Sequence, residues 1–363
     1  MSVIAYATGI EPFLGGAVLN ESVASHFPGA SVWPVAKRVA NDRGWQFSTA
    51  DVVLDQMRSG DIQASDVRVV QEEDAALGTA LIQAGAQAAL LLCGESPLFA
   101  RDFYCQLDNF SRGFENALLF RGALNNLSSP TQGHVLHFPG FHRGSYIPVR
   151  PWRSRDEVAL VAGNKYWRHG GLPIFQRMQR EWQMIKDRSY YEWLRAHQLH
   201  DRRLAYVVGL YEAGLLTLFG GGWDVSHHLP ASWRNELARA RVRGQALGPT
   251  EKQSTISSFK FTLAMENFEY PGYVTEKIIN ALAAGSIPLY LGAPDIEDFI
   301  PADVFVDLRG FASPEDLAAY LATIDEQTGL EMIKRGQEFL SSEAGDVFSY
   351  ERQGELIVDI AIQ

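Results

Sequence analysis

The sequence predicts an α/β fold built from two domains, and three observations support this prediction. Short apolar runs of strand length alternate with helical patterns along the chain, as repeated strand–helix–strand units require. The chain has 363 residues, which is more than one domain usually holds, since domains average about 150 residues. The composition is 46% hydrophobic and 21% charged, as in globular proteins. A disordered, collagenous or coiled-coil chain is therefore excluded.

The first half of the chain contains few unambiguous elements. Strands are predicted near residues 31–35 and 88–93, and the end of an amphipathic helix is predicted at residues 79–86. The acidic run at residues 72–74 is expected to be a solvated face or the start of a helix. Residues 105–126 are rich in aromatic side chains and are expected to be irregular.

The stretch 138–155 is expected to connect the two domains. It contains three prolines and four arginines, a composition typical of a surface connection. We therefore predict an N-terminal domain over residues 1–155, a C-terminal domain over 156–345, and a closing segment, 346–363, that packs back on the N-terminal domain. The arginines are compatible either with a solvated linker or with a surface that guides an anion.

The second half has clearer elements. The predicted elements are strands at 157–162, 215–219, 259–265 and 286–291, and helices within 173–197, at 203–211 and at 273–284. The helix at 203–211 is expected to bury residues that recur at helical spacing, namely Leu204, Val207, Val208 and Tyr211. Three glycines at 220–222 follow a strand and lack the spacing of a nucleotide-binding glycine motif, so they are expected to form a turn.

Charge and cysteine content limit the partners and the setting. The net charge of −11 repels polyanions, so nucleic acid is not expected as a partner. Two cysteines are too few for a disulfide framework at this length, so a reducing, cytoplasmic setting is expected. The first residues lack the pattern of a signal peptide, and no apolar run has the length of a membrane span. At most a peripheral membrane contact is expected.

The stretch that joins the strand at 259–265 to the next helix has the features of an anion site. Ligands of open parallel sheets bind beyond the carboxyl ends of strands. Thr275 is a good helix cap, which places Glu276 and Lys277 in a first turn that favours anions. A bound phosphate accounts for Lys277 at this helix end, and Glu276 then suits hydroxyl groups such as a ribose diol. Alternatively, Glu276 stabilises the helix end and Lys277 is solvated.

Glu95 is the candidate proton acceptor of the first half. It follows the apolar run 88–92, so its carboxylate lies at the carboxyl end of a predicted strand. Partial removal from water in a cleft raises the pKa of such a group towards the range that suits a general base. The alternative is a glutamate that caps a turn.

The segment 259–294 resembles the family 10 glycosyltransferases, the α1,3/α1,4-fucosyltransferases. The residues that match the donor-site signature of that family are Phe259-Lys260-Phe261, Glu266-Asn267, Gly272-Tyr273-Val274-Thr275-Glu276-Lys277, Ser286-Ile287-Pro288 and Gly292. Met265 replaces the usual phenylalanine, which is a tolerable apolar exchange. The resemblance implies a GT-B architecture, with two Rossmann-like domains facing across a cleft, and metal-independent binding of GDP-fucose without a cofactor.

The resemblance also implies roles for individual residues. Lys277 is expected to contact the diphosphate and Glu276 the ribose hydroxyls, while Glu266, Asn267 and Tyr273 line the donor pocket. A second family pattern, matched by Arg203, Tyr206, Val207 and Leu210, assigns the phosphates to Arg203, although the adjacent Arg202 is an alternative. Asn164 resembles a strand-end asparagine of the donor domain, and Glu95 matches the catalytic base.

The predicted function is transfer of L-fucose from GDP-fucose to a hydroxyl of a glycan acceptor, with inversion and an expected α1,3 linkage. Two alternatives stay open at this point. The first is a GT-B glycosyltransferase that uses another nucleotide sugar. The second is a non-catalytic relative that binds sugar nucleotides.

Overall fold

The computed structural model divides into two compact units. It describes residues 2–128, 130–163, 187–221, 223 and 249–363. Unit 1 comprises Met1–Ser145, Pro271–Ile279 and Leu340–Gln363, and unit 2 comprises Tyr146–Tyr270 and Asn280–Phe339. The division is therefore not a single cut along the sequence, because two later stretches belong to the same unit as the first 145 residues.

Each unit contains one parallel sheet. Unit 1 has the strands β1 (Val3–Ala7), β2 (Gln46–Thr49), β3 (Val67–Glu72), β4 (Gln87–Leu92), β5 (Asn116–Leu119) and β6 (Gln132–Val135), in the order β2-β1-β3-β4-β5-β6. Unit 2 has β7 (Asp156–Val161), β8 (Leu216–Phe219), β9 (Phe259–Met265), β10 (Ile287–Leu291) and β11 (Val306–Asp307), in the order β11-β10-β9-β7-β8. All pairings of these strands are parallel, so the carboxyl ends within each sheet share one edge.

The helices surround these sheets. In chain order they are α1 (Glu21–Ala24), α2 (Val32–Asp42), α3 (Ala50–Ser59), α4 (Ala76–Gln83), α5 (Arg101–Cys105), α6 (Leu107–Ser111), α7 (Arg121–Leu124), α8 (Arg188–His197), α9 (His200–Glu212), α10 (Pro249–Ile256), α11 (Glu276–Ala283), α12 (Pro314–Leu321), α13 (Glu326–Ser341), α14 (Glu343–Asp346) and α15 (Tyr350–Ile362). Parallel strands require crossover connections, which these helices provide.

The cores of the two units lie against the sheets. In unit 1, Val3, Ala5, Val67 and Val69 pack with residues of α3 and α4. In unit 2, β9 buries every residue except Lys260, as expected for a strand covered on both faces.

The structure confirms one strand and one helix predicted for the first half and most of the elements predicted for the second half. The strands β4, β7, β8, β9 and β10 and the helices α4 and α9 form at the predicted places. The helix predicted over 273–284 is shorter and spans Glu276–Ala283. In α9 the buried face is centred on Arg203, Tyr206, Val207 and Leu210, so it is rotated from the predicted one.

Two predictions for the first half are wrong. Residues 32–35 belong to helix α2, with Ser31 as its N-cap, because Val32, Val35, Ala36 and Ala40 recur at helical spacing and Pro34 lies in the tolerant first turn. Residues 105–126 contain α6, β5 and α7, which are elements of four or five residues. Such short elements do not show a periodic pattern in the sequence.

The last helix completes unit 1 by packing on α2. A Cβ atom at Gly354 of α15 would lie 2.7 Å from Val35 Cγ1 and 3.1 Å from the Ala36 nitrogen. The absence of a side chain therefore lets the two helices approach closely. Near the end of α15, the Ala361 carbonyl accepts a hydrogen bond of 3.1 Å from Arg68 Nη1.

Candidate functional site

The residues that follow β9 are held in place by Arg203. The Arg203 side chain is buried at 3% exposure, and its Nη2 donates to the carbonyls of Met265 and Glu266, both at 2.7 Å. The same nitrogen donates to Asn267 Oδ1 at 3.0 Å. Two separately predicted motifs, on α9 and after β9, are thus brought together. Arg202, the alternative to Arg203, is exposed.

Glu266 lies in the interior of unit 2. Its side chain is fully buried, and its backbone N–H donates to the Leu291 carbonyl at 2.8 Å. Burial, together with the charge of Glu266, raises the pKa of the Tyr290 hydroxyl well above its ordinary value. A Cβ atom at Gly292 would lie 2.5 Å from Glu266 Cγ, so a glycine is needed at that position. The buried Glu266 side chain therefore packs against the backbone that follows β10.

The stretch 271–275 is docked within unit 1. The Pro271 carbonyl accepts a hydrogen bond of 2.9 Å from the Gly122 N–H. Gly272 has a φ of +72°, and a Cβ atom there would lie 2.9 Å from the Arg121 nitrogen. Tyr273 is buried at 2% exposure and packs edge-to-face on Phe120, with ring centroids 5.0 Å apart. Tyr273 therefore anchors the loop.

The first turn of α11 carries the predicted charged pair. The helix begins at Glu276, which confirms that Glu276 and Lys277 lie in its first turn. Lys277 Nζ donates to Thr275 Oγ1 at 2.8 Å and lies 3.8 Å from Glu276 Oε1. Both charged side chains are mostly shielded from solvent, at 19% and 12% exposure. This arrangement keeps an ammonium group beside a helix N-terminus, where anions are favoured.

Gly140 supports this helix turn within unit 1, and no pattern in the sequence indicated this contact. A Cβ atom at Gly140 would lie 2.8 Å from Ile279 Cβ and 3.2 Å from Glu276 Cα. The Gly140 N–H donates to the Phe348 carbonyl at 3.0 Å, and the Tyr350 N–H donates to the Phe141 carbonyl at 2.9 Å. The residues around the start of α15 therefore fix the loop on which the first turn of α11 rests.

Ionic contacts hold the same loop. His142 lies 3.0 Å from Glu351 through Nδ1 and 3.4 Å from Glu21 through Nε2. The hydrogen bond to Glu351 raises the pKa of His142 above its ordinary value. Arg143 donates to both carboxylate oxygens of Asp346, at 2.8 and 2.7 Å, in a bidentate pair.

Glu95 follows β4 in unit 1, as predicted, and is exposed. Its backbone carbonyl accepts hydrogen bonds from the Tyr104 hydroxyl at 2.8 Å and from the Cys93 thiol at 3.6 Å. These two hydrogen bonds fix the backbone of the loop that carries Glu95. The last of the predicted site residues, Asn164, lies outside the described residues.

The prediction that the acidic run 72–74 is a solvated face or the start of a helix is wrong for Glu72. Glu72 ends β3, and its carboxylate accepts hydrogen bonds from Tyr6 at 2.7 Å and from Thr8 at 2.8 Å. Burial raises the pKa of Glu72. The partners lie far from Glu72 in the sequence, so no local pattern indicated this arrangement.

The structure offers no assembled metal site in the ranges it describes, where His, Cys, Asp and Glu side chains form no group of three or more suited to a metal ion. Among those same residues, no helix has both the length and the apolar character needed to cross a membrane.

Two α/β units, each with one parallel sheet, are the architecture of the GT-B fold class. Sucrose-phosphate synthase from Thermosynechococcus elongatus has a similar fold, with a TM-score of 0.54, 12% identity, and coverage of 100% of this chain and 97% of that one. Anabaena Alr3699/HepE in complex with UDP gives a TM-score of 0.53 at 12% identity and 99% coverage of both chains. These likenesses support the predicted fold class.

Residues 186–330 match the family model of glycosyltransferase family 10 (fucosyltransferase), C-terminal part. The resemblance noted in the donor-site motif is thereby confirmed for this part of the chain. The chain is 39% identical over 121 residues to 4-galactosyl-N-acetylglucosaminide 3-alpha-L-fucosyltransferase 9 from Bos taurus. That alignment covers 30% of this chain and 34% of the bovine protein, so the match spans about a third of the length of this relative.

Proposed function

We propose that this protein transfers L-fucose from GDP-fucose to a hydroxyl group of a glycan acceptor, with inversion and an α1,3 linkage. The observation that carries the proposal is the match of residues 186–330 to the family 10 fucosyltransferase model, with the motif residues at the end of β9 and the start of α11. The bovine relative is a 3-alpha-L-fucosyltransferase by name, which supports the donor sugar and the linkage.

In the proposed donor site, Lys277 binds the diphosphate of GDP-fucose. Its ammonium group already lies at the N-terminus of α11, and the helix dipole adds to the attraction for an anion. Glu276 accepts hydrogen bonds from the ribose hydroxyls. Asn267, Tyr273 and Asn164 complete the proposed donor site. No metal ion or cofactor is part of this proposal.

Arg203 has two roles in the proposal. Its hydrogen bonds to Met265, Glu266 and Asn267 position the end of β9, and its positive charge stabilises the phosphates. Glu266 supports the pocket wall from the interior, where it is fully buried. Preorganised positive groups are usually the largest contribution to transition-state stabilisation.

Glu95 is the proposed general base. Its carboxylate takes the proton of the acceptor hydroxyl while the hydroxyl oxygen forms a bond to the anomeric carbon. The bond from that carbon to the β-phosphate oxygen breaks, and GDP leaves with the electron pair. The transition state is oxocarbenium-like, as in glycoside hydrolysis. The exposure of Glu95 is compatible with access by an acceptor from solvent.

The test is an acceptor glycan array with GDP-fucose, in which the linkage of each product is determined by NMR. A parallel panel of other nucleotide sugars, with mass detection of products, tests the donor. We expect fucosylated products from GDP-fucose alone. A product with a different sugar, or no GDP release with any acceptor, would contradict the proposal.

Glu95→Gln tests the catalytic assignment. Because general bases contribute roughly 10²–10⁴-fold, turnover should fall by about that factor. Donor affinity, measured with GDP by calorimetry, should stay within about twofold, since the glutamine has the same size as the glutamate. Glu11→Gln is the matched control, because Glu11 is also exposed in unit 1. Turnover near that of the wild type would remove Glu95 from this role.

A further inference from the structure

The residue before the proposed base lies against an aromatic ring. Gly94 directly precedes Glu95, and a Cβ atom at Gly94 would lie 3.1 Å from Phe138 Cε2 and 3.6 Å from Phe138 Cδ2. The opposite edge of the ring lies against Gly29, where a Cβ atom would be 2.5 Å from Cζ and 2.7 Å from Cε1. The ring therefore fills the space that side chains at these two glycines would occupy, and it forms one wall of the loop that carries Glu95.

The segment 138–140 links this loop to the first turn of α11. Gly140 rests on that turn, since a Cβ atom there would lie 3.2 Å from Glu276 Cα. Two residues of fully extended chain span at most about 7 Å, so the two contacts are close together along the segment. The loop of Glu95, the segment and Glu276 all belong to unit 1. One short stretch thus contacts the proposed base loop at one end and the proposed donor helix at the other.

The segment is stiff and is tied at both ends. Pro139 has a fixed φ, and a proline also restricts the residue before it to an extended conformation. On one side, the Leu136 N–H donates to the Leu119 carbonyl, at the end of β5, at 2.8 Å. On the other side, the Gly140 N–H donates to the Phe348 carbonyl at 3.0 Å. A segment held in this way sets a fixed spacing between the parts that it contacts.

Such a spacing matters for proton transfer. A general base must come within about 2.6–3.2 Å of the oxygen whose proton it takes. A misplacement of about 1 Å can lower a rate about 100-fold. The Glu95 side chain is exposed, and the backbone from which it extends lies next to the contact between Gly94 and the ring. A change at this contact therefore moves the origin of the Glu95 side chain.

We propose that Phe138 is a positioning residue for the transfer reaction, which holds the loop of Glu95 at a fixed distance from the first turn of α11. This inference rests on the proposed function, in which Glu95 takes the proton of the acceptor hydroxyl and Lys277 binds the diphosphate. Phe138 exchanges no proton, and its effect on the reaction passes through the backbone at Gly94 and Glu95.

The test compares kcat for Gly94→Ala, Phe138→Leu and the double variant. The added methyl group meets the ring at 3.1 Å, so the loop of Glu95 must move by about 0.4–0.9 Å to restore an ordinary contact. In Gly94→Ala, kcat should therefore fall about ten- to thirtyfold. Phe138→Leu removes part of the wall and should lower kcat about threefold. The leucine leaves room for the methyl group, so kcat of the double variant should recover to that of Phe138→Leu.

Three controls separate this role from a general loss of structure. The segment keeps its contact with α11 in Gly94→Ala, so GDP affinity by calorimetry should stay within about twofold of the wild type. In a Glu95→Gln background, Gly94→Ala should lower kcat by less than about twofold, because the displaced group no longer takes a proton. Gly133→Ala crowds Leu124 Cδ2 at 2.8 Å in the same unit and should leave kcat within about twofold.

The backbone of Gly94 permits the substitution, since its φ is not positive and alanine introduces no strain there. Thermal unfolding shows which variants are folded. If Gly94→Ala does not fold, Phe138→Leu carries the test, because it removes atoms without crowding the loop. Wild-type kcat in Phe138→Leu would then overturn the inference.

The outcomes are distinct for an enzyme that transfers fucose. Wild-type kcat in a folded Gly94→Ala overturns the inference and leaves the proposed function intact. A double variant that does not recover also overturns it, since the loss would not depend on the ring. An equal loss in the Glu95→Gln background does so as well, because the effect would not pass through Glu95. Absence of any transfer by the wild type contradicts the proposed function itself.

Discussion

Gly140→Ala should weaken donor binding although residue 140 has no proposed contact with the donor. The added Cβ atom would lie 2.8 Å from Ile279 Cβ and 3.2 Å from Glu276 Cα. Ordinary contacts between carbon atoms are about 3.5–4.0 Å. The first turn of α11 or the loop at Gly140 must therefore move by roughly 0.7–1.2 Å. The hydrogen bond from Gly140 to Phe348 anchors the loop, so we expect the helix turn to move.

The displacement sets the size of the effect. Charge-assisted hydrogen bonds have lengths of about 2.7–2.9 Å, so a shift of this size breaks one of them. Such a bond contributes about 1.5–3 kcal/mol, which corresponds to GDP binding that is roughly ten- to a hundred-fold weaker. Overpacking should also lower the free energy of unfolding by about 1–3 kcal/mol.

The assay is GDP titration by calorimetry, with thermal unfolding measured on the same samples. Gly9→Ala is the control, since Gly9 is exposed in unit 1 and a Cβ atom there meets nothing within 4 Å. Wild-type GDP affinity in Gly140→Ala would refute the argument that Gly140 fixes the donor end of α11. Equal losses in the control would show a general effect of the substitution.

Three other predictions concern the charged residues. Lys277→Ala should weaken GDP binding more than tenfold by calorimetry, whereas Lys334→Ala, on the exposed side of unit 2, should not; equal affinities would contradict the phosphate assignment. Arg203→Ala should lower the free energy of unfolding by about 1–3 kcal/mol in denaturant titrations, because buried carbonyls lose their donor, and the exposed Arg202→Ala should have little effect. His142→Gln should lower the unfolding temperature at pH 5.5 but not at pH 9. Because the pKa of His142 is raised in the folded protein, its ion pairs stabilise the fold at a pH below the ordinary pKa of histidine. This stabilisation is lost as the pH rises through the raised pKa of His142. The ion pairs are partly exposed to solvent, which limits their contribution to about 0.5–1 kcal/mol.

The sequence predicted the fold best where strands are buried on both faces. β7 contains a continuous apolar run at residues 158–161, and β9 is apolar except for Lys260 and Thr262, so their pattern was sufficient. In unit 1, β5 and β6 have only four residues each, and β6 reads Gln-Gly-His-Val, which carries no strand pattern. Pairing with neighbouring strands, rather than local preference, makes these segments extended.

The site was predictable only in its local parts. Glu276 and Lys277 could be placed in a first helical turn because the predicted helix cap, Thr275, directly precedes them. The hydrogen bonds from Arg203 to the end of β9 join residues more than 60 positions apart. The contact of Gly140 with Glu276 is likewise set by the fold. No periodicity or spacing within a segment records such contacts.

The composition of unit 1 from three separate stretches has a consequence for biosynthesis. Residues 340–363 supply α15, which covers α2 through the close approach at Gly354. Until those residues leave the ribosome, Val35 and Ala36 lack this cover, and the loop at Gly140 lacks its partners near Tyr350. Domains that are continuous in sequence can fold as they emerge. Unit 1 begins first and is completed last, so its nascent form exposes apolar surface throughout the synthesis of unit 2.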